Sequence, residues 1–518
     1  MDIAEWLRGL GLERYTQAFQ DAEVTTEVLP ELTEADLREL GLPLGPRKIV
    51  LKAIQALADP PTTVLLPEAA REEAGSKAAP ISVEAGLADR AVGYWLRAGR
   101  NAAERSANLE AISHLSKGLE ALNKLPAGPE RDRQELALQT AIGTPLIAVH
   151  GYAAPQTGAA YSRARLLCER LGDAGALFAT LSGEFTYHFV RGDYRMMREL
   201  TEEARRTSER TADAALRLAA HRLSALTALQ VGAFVEARSE FETILRLYDP
   251  SQHRPPPVHY VHDPKISALA YLPVILSILG YPEQARHWSV AALQYAEVLN
   301  QANLTAHVRV YGGAGLAELL GDTAAVRGHA DAIIGLADQH SLHYFRLSGQ
   351  ILRGWVMAQE GATEAGLALM RQSAAERLAL GVGWYQIRYL CMLAATHLQA
   401  GAAEEGLGVI AQARDLVARN NDHMWEAELR RLEGELRSAQ GACPADVESC
   451  FEQALVTARG QSAKSFELRA AISLARLWRD QGKQPQARAL LAPVYGWFTE
   501  GFDTRDLKEA KALLDELS

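Results

Sequence analysis

The sequence is poor in cysteine, in aromatic residues and in basic charge. Only 4 of the 518 residues are cysteines and no two form a CxxC pair, which rules out a disulfide scaffold and argues against a thiolate zinc site. Aromatic residues make up 7%, and no run of alternating β-branched residues indicates a strand. The net charge of −10 argues against a general nucleic-acid binder, because such proteins usually carry a basic face.

Long apolar stretches are also missing. Residues 136–162 carry no Asp, Glu, Lys or Arg, but prolines, glycines and polar side chains interrupt them. Residues 266–282 are more apolar but barely reach membrane-spanning length and contain Pro273, so we interpret them as a buried helix. The N-terminus lacks the basic segment of a secretory signal. We therefore expect a cytoplasmic protein without membrane insertion.

Residues 1–60 show five short helical patterns separated by turns. Thr33 is suited to cap the fourth pattern, and Asp36 three residues later completes a pair like a capping box. Gly41 is placed to end that helix, and Pro46 fits the first turn of the fifth. Five helices in so short a segment predict a small bundle.

The apolar and turn residues of this module resemble the sterile alpha motif (SAM) domain. The matching positions are Trp6, Leu7, Leu10, Gly11, Leu12, Tyr15, Phe19, Leu29, Leu32, Thr33, Asp36, Leu37, Leu40, Gly41, Gly45, Arg47 and Ile49. The resemblance implies head-to-tail association, in which the acidic middle of one domain meets the last-helix N-terminus of the next. The acidic side would use Glu31, Glu34, Asp36 and Glu39, and the opposing side would use Leu44, Gly45, Arg47 and Lys48. The alternative is that these residues form the solvated faces of a small bundle.

Residues 61–82 are rich in Pro, Ala, Ser and charges, and we expect a flexible linker. From residue 83 to the end, amphipathic helical patterns follow one another with short turns. They form about ten helix pairs and a last helix over residues 505–517.

A repeat runs through residues 83–518. In its clearest copy the small residue Gly354 is followed by a turn glycine at 361, a second small residue at Gly366 and the large Met370. Small residues let two antiparallel helices approach closely, and the large residue fills the gap to the next pair. The spacing resembles tetratricopeptide repeats. The sequence therefore predicts an all-α chain: a small five-helix bundle followed by an α-solenoid.

Helical-repeat arrays bind extended peptides or helices along their concave face. Aromatic residues and arginines on the first helices are the candidate contacts, since such residues often anchor interfaces. They are Tyr187, His188, Arg191, Tyr311, Tyr344, Arg346, Tyr385 and Arg388. Packing between helices is the alternative for each of them.

Two further segments have a chemical interpretation and a structural one. The loop 251–263 contains His253, His259, His262 and Asp263, which could ligate zinc, but three consecutive prolines suggest an extended connection instead. Residues 311–315 form a glycine cluster, but it lies inside a helical pattern, which favours close helix packing over phosphate binding. No phosphate loop and no GxSxG motif occurs. We therefore expect no enzyme activity and no cofactor.

Residues 84–125, 151–155, 164–173 and 280–285 resemble the helical-repeat tail of large bacterial signalling proteins. Those proteins resemble class III adenylate/guanylate cyclases and place a cyclase and an ATPase between a SAM domain and the tail. This chain has only the segment 61–82 there. The sequence predicts a non-catalytic scaffold in bacterial signalling, with protein partners on the array and homo- or hetero-oligomers formed through the N-terminal module. The alternative is a regulatory companion or degenerate relative of such a cyclase.

Overall fold

The chain divides into two compact units, residues 1–82 and 83–518, in a computed structural model. The second unit is described over residues 83–105, 107–210, 214–249 and 263–518, and its first helix begins four residues earlier. The first unit is described mainly over residues 15–22 and 32–42, together with single positions near its ends. The described residues contain helices and turns and no strand.

The first unit contains two described helices, α1 (Thr16–Asp21) and α2 (Glu34–Glu39). The predicted capping box at α2 is confirmed. The backbone N–H of Asp36 donates to Thr33 Oγ1 at 3.4 Å, and the N–H of Thr33 donates to Asp36 Oδ2 at 2.7 Å. Gly41 follows the helix with φ +79°, a conformation that glycine adopts without strain. The buried core consists of Leu7, Leu12, Phe19, Leu37, Leu42, Val50 and Ile54.

The second unit is a continuous series of antiparallel helices. Its first half contains α3 (Ala79–Glu104), α4 (Asn108–Leu122), α5 (Pro129–His150), α6 (Pro155–Leu171), α7 (Ala174–Arg191), α8 (Tyr194–Glu209), α9 (Ala214–Gln230), α10 (Phe234–Leu247), α11 (Pro264–Ile278) and α12 (Pro282–Leu299). Its second half contains α13 (Ala302–Val308), a π-helical segment (Arg309–Gly315), α14 (Leu316–Leu320), α15 (Thr323–His340), α16 (His343–Gln359), α17 (Thr363–Ala379), α18 (Gln386–Gln399), α19 (Ala403–Asn420), α20 (Glu426–Ala439), α21 (Pro444–Gly460), α22 (Lys464–Asp480), α23 (Gln484–Tyr495) and α24 (Arg505–Glu516).

These helices form ten pairs and a last helix, as the sequence predicted. The predicted role of the small residues is visible between α16 and α17. A Cβ atom added to Gly354 would lie 2.7 Å from the carbonyl oxygen of Gly366, so only glycine permits this approach. The turn glycine at 361 has φ +96°, which reverses the chain between the two helices. Helix α3 begins at Ala79, inside the segment predicted as linker.

Two helices of the central pairs depart from regular geometry. Helix α11 is buried along its whole length except at Lys265, which agrees with the buried helix predicted there, and it tolerates Pro273 in its interior. The next inner helix widens into the π-helical segment over the glycine cluster. A Cβ at Gly312 would lie 3.2 Å from the carbonyl oxygen of Ala270. The cluster therefore serves close helix packing, as its place in a helical pattern suggested.

Candidate binding face of the helical array

The first helices of the central pairs, such as α9, α11, α16 and α18, are buried along most of their length, and successive turns of the superhelix touch. The carbonyl oxygen of Val190 accepts hydrogen bonds from the N–H groups of Gly383 and Trp384, both at 2.9 Å. Gln230 Nε2 donates to the carbonyl oxygen of Asn420 at 3.0 Å, across 190 positions of sequence. The coil is therefore closed, with inner helices of the first turn packed on those of the second.

A second set of contacts closes the coil further along. Ser465 Oγ donates to the carbonyl oxygen of Ser277 at 2.5 Å, across 188 positions. Arg286 on α12 forms a two-pronged ion pair with Asp503, with N···O distances of 3.1 and 3.0 Å. The repeat spacing does not predict these contacts, because it encodes only how neighbouring pairs stack.

Aromatic side chains fill the axis of the coil. The rings of Phe189 and Trp384 lie 4.2 Å apart, and Tyr271 lies 5.0 Å from Tyr311 and 5.8 Å from Trp384. Tyr385 packs edge-to-face on Tyr311, also at 5.0 Å. Edge-to-face and tilted pairs of this kind stabilise a core beyond their buried area. The concave face expected to be open is thus occupied by its own side chains.

Three of the predicted contact residues lie inside this core. Tyr311 and Tyr385 are 1% and 3% exposed. Arg388, also 3% exposed, forms an ion pair with Glu318 and stacks on Trp425 at 4.6 Å. Burial lowers the pKa of Arg388 to about 10. In the closed coil these residues have the packing role that was the alternative interpretation, and a partner reaches them only if the coil opens.

The other predicted residues remain at the rim. Arg191 is exposed and stacks on the ring of Tyr187 at 5.4 Å, and His188 Nδ1 lies 3.1 Å from Asp193 Oδ2. On α16, Tyr344 is half-buried and hydrogen-bonds to the buried hydroxyl of Tyr311 at 2.6 Å.

Arg346 also lies on α16. It is half-buried, and its Nη2 atom lies 3.2 Å from His343 Nδ1. The structure therefore divides the predicted set into one cluster on α7, one on α16 and three buried residues.

A buried ion network joins the two turns of the coil, and sequence inspection missed it. Arg469 donates to Asp506 at 2.5 Å and to the carbonyl oxygen of Leu319 at 2.7 Å. Glu428 lies 2.7 Å from Arg431 and 3.6 Å from Arg469. Burial raises the pKa of Glu428, but the cationic neighbours outweigh it and hold that pKa far below its usual range. These residues are far apart in the sequence and meet only in the folded chain, so no local sequence motif predicts the network.

In the N-terminal unit, two predicted interface residues are engaged within the domain. Asp36 caps its own helix, and the hydrogen bonds from Thr33 lower the pKa of its carboxyl group. Arg47 is half-buried and donates to the carbonyl oxygen of Leu42 at 3.1 Å. The other predicted side chains lie outside the described residues, namely Glu31, Glu34, Glu39, Leu44, Gly45 and Lys48.

The histidines of the candidate metal loop, His253, His259 and His262, also lie outside the described residues. Asp263 is described, and it caps α11 while accepting hydrogen bonds from the hydroxyls of Tyr248 and Tyr295 at 2.8 and 3.2 Å. Across the described part of the chain, no group of three or more His, Cys, Asp or Glu side chains could hold a metal ion. No helix there combines the length and apolar character needed to cross a membrane.

Three comparisons with known proteins bear on the two units. Residues 1–58 match the family model of the SAM domain (sterile alpha motif). An uncharacterized protein of Rhizobium meliloti strain 1021 is 23% identical over 407 residues, which are 76% of this chain and 38% of the relative. The chain therefore spans well under half the length of that relative.

Solved structures resemble the array in fold alone. A Rap protein complexed with competence and sporulation factor has a TM-score of 0.48 and 13% identity, covering 74% of this chain and 99% of the Rap chain. The apo quorum sensor NprR from B. thuringiensis has a TM-score of 0.42 and 12% identity, covering 70% and 98%. The chain itself joins a SAM domain to an all-α solenoid of tetratricopeptide-like helix pairs.

Proposed function

We propose that this chain is a non-catalytic scaffold that binds a protein partner through its helical array and associates or docks through its SAM domain. The observation that carries the proposal is the cluster on α7, where the exposed guanidinium of Arg191 stacks on Tyr187. An arginine held against an aromatic ring is preorganised for a partner and loses little conformational entropy on binding. The cluster also lies next to Val190, whose carbonyl closes the coil.

The array proposal is tested by affinity capture from the source cells with the full chain. We expect a partner whose capture is lost with Tyr187→Ala/Arg191→Ala. The matched control is Arg206→Ala, which removes an exposed arginine from the outer helix α8, and capture should survive it. Capture that is equal in both variants would contradict a binding role for the α7 cluster.

The SAM proposal rests on the uneven charge of the first 60 residues, which hold 11 acidic and 6 basic side chains. Half of the basic ones cluster at Arg47, Lys48 and Lys52. Opposite charges on two faces steer head-to-tail association. Light scattering of the full chain should show oligomers that dissociate with Lys48→Glu and persist with Arg14→Glu. A chain that is monomeric at high concentration without any substitution would contradict self-association.

A role in bacterial signalling, as a regulatory companion or degenerate relative of a class III cyclase, is the second candidate. It is supported by the resemblance over residues 84–125 and by the greater length of the Rhizobium relative, of which the match covers 38%. The purified full chain should form no cyclic nucleotide and hydrolyse no ATP or GTP with Mg²⁺ or Mn²⁺. Turnover would overturn the non-catalytic assignment.

A further inference from the structure

Arg222 is a buried arginine in the middle of the inner helix α9. Its side chain is 3% exposed. Its Nε atom donates to Ser267 Oγ at 2.9 Å, and its Nη2 atom makes a long contact of 3.5 Å with Thr186 Oγ1. Within the part of the chain that the structure describes, the Nη1 atom of Arg222 has no hydrogen-bond acceptor. Part of this guanidinium fork is therefore available to a ligand.

Among the described residues around Arg222, none carries a negative charge that would compensate its own. The groups that act on it electrostatically are the phenols of Tyr152 and Tyr271, and burial lowers the pKa of Arg222 to about 10. Burial and the charge of Arg222 lower the pKa of His307 to about 3, so this imidazole is neutral at physiological pH. A buried charge without a counter-ion is costly, and a strongly perturbed group of this kind beside a cavity is a candidate for a ligand site.

Other buried arginines of the array are held by carboxylates or by short hydrogen bonds. Arg388, Arg431 and Arg469 pair with carboxylates. Arg377, which has no carboxylate partner, donates to Ser348 Oγ and to the carbonyl oxygen of Trp384 and lies over two tyrosine rings. Arg469 also borders a cavity, but carboxylates compensate its charge, whereas Arg222 borders a cavity without such a partner among the described residues.

The cavity beside Arg222 has a volume of about 20 Å³, room for one water molecule or the end of a carboxylate group. Its lining comes from inner helices of five successive pairs, the loop before α6 and the turn before α18. Among the lining residues that the structure describes, Tyr152 and Tyr344 are the half-buried ones, and their rings meet edge-to-face at 6.0 Å.

We propose that Arg222 anchors the carboxylate group of a ligand held in this cavity. The guanidinium fork matches a carboxylate in shape, and one cation balances one negative charge. A phosphate dianion would keep an uncompensated charge in the same aromatic cavity, which favours a carboxylate. This site goes beyond the scaffold function, because it assigns an anionic ligand to the interior of the coil rather than a protein to its rim.

The test is thermal unfolding of the full chain with sodium acetate against sodium chloride at equal ionic strength. We expect acetate to raise the midpoint by about 2 °C at a tenfold excess over its dissociation constant. Arg222→Met should remove the difference between the two salts, and Arg217→Met, an exposed arginine on the same helix, should retain it. Arg222→Lys keeps the charge without the fork and should retain a smaller difference.

Further ligands test where the carboxylate comes from and whether a carboxylate binds better than a phosphate. Tetra-alanine with a free C-terminal carboxylate, compared with its C-terminal amide, tests whether a peptide end supplies the group. The proposal is overturned if acetate acts no differently from chloride, if Arg222→Met responds like the unsubstituted chain, or if phosphate stabilises more than acetate. A response to acetate but not to tetra-alanine supports the site and identifies the source as a small free carboxylate. If acetate has no effect on the unsubstituted chain while partner capture persists, this site is refuted and the scaffold function stands.

Discussion

At the scale of single residues, the closed coil depends on positions where a side chain will not fit. Gly383 donates from its N–H group to Val190, and a Cβ atom there would lie 2.3 Å from the carbonyl oxygen of Arg191. The obstacle is backbone, which cannot rotate away as a side chain can. The contact between the two turns therefore depends in part on glycine at position 383, which has no Cβ atom.

Gly383→Ala should destabilise the array by about 1–3 kcal/mol, because the new methyl group forces the two turns apart. The matched control is Gly408→Ala on α19, where an added Cβ meets no atom within 4 Å. That change should stabilise the chain by roughly 0.5–1 kcal/mol, as alanine lowers the entropy of the unfolded helix segment. Urea unfolding followed by circular dichroism measures both, and equal midpoints would contradict a tight contact at Gly383.

Asp422 makes stability depend on pH near neutrality. It is 3% exposed, and burial raises the pKa of its carboxyl group to about 7. The folded chain thus holds this proton more tightly than the unfolded chain, whose carboxyl has a pKa of about 4. Stability contributed by the protonated group is present below about pH 4 and is lost as the pH rises towards 7.

Asp422→Asn should remove that loss and stabilise the chain above pH 7 by on the order of 3 kcal/mol. Glu426, and to a smaller extent the charge of Asp422, raise the pKa of the neighbouring His423, so the substitution also removes the interaction between Asp422 and His423. Unfolding midpoints from pH 4.5 to 8 measure the effect, with the exposed Asp415→Asn as control. Parallel pH profiles of the Asp422→Asn and unsubstituted chains would refute it.

At the scale of helices, local patterns were sufficient to predict the pairs, their small-residue contacts and the capping box at Thr33. They were insufficient for the π-helical segment, which arises where Gly312 packs against the backbone of α11. They also missed Arg222, because an arginine among apolar residues on a helix does not reveal whether a carboxylate from another helix will face it. The three buried members of the predicted binding set show the same limit.

The ion network between α14, α20, α22 and α24 should stabilise the junction of the two turns. Arg469→Leu removes the cation shared by Asp506 and Glu428, and we expect a loss of about 3–5 kcal/mol, because two carboxylates stay buried with fewer counter-charges. Arg476→Leu, on the same helix, breaks an exposed pair with Glu509 and should cost about 0–1 kcal/mol. Denaturant midpoints distinguish the two, and similar losses would show that the buried network adds nothing specific.

At the scale of the whole array, closure changes which parts depend on one another. In an ordinary helical-repeat array each pair contacts only its neighbours, and stability is a sum of local terms. Here hydrogen bonds join pairs of residues that are far apart in the sequence. Ser465 and Ser277 are separated by 188 positions, and Gln230 and Asn420 by 190. Such contacts form only if the small rotations between successive helix pairs add up to a full turn of the coil. The spacing of small residues in the sequence does not predict that total rotation.

Removing residues 461–518 should therefore weaken a distant region. Ser465 contacts Ser277 and Arg469 contacts Leu319, so we expect faster amide exchange in α11 and α14 as well as in the neighbouring α20 and α21. Hydrogen–deuterium exchange with mass spectrometry resolves these segments. Faster exchange confined to α20 and α21 would indicate an open array governed by nearest neighbours.

The contact between Val190 and Trp384 also has a consequence for synthesis. While the ribosome builds the chain, Phe189 on α7 lacks the cover of Trp384 until the turn before α18 has emerged, close to 190 residues later, although Tyr271 on α11 reaches its ring earlier. At bacterial or eukaryotic elongation rates this interval is about 10–40 s. For that time the side of Phe189 that Trp384 later covers is an exposed apolar surface. Molecular chaperones that bind such surfaces should associate with nascent chains in this window and release them when the second turn arrives.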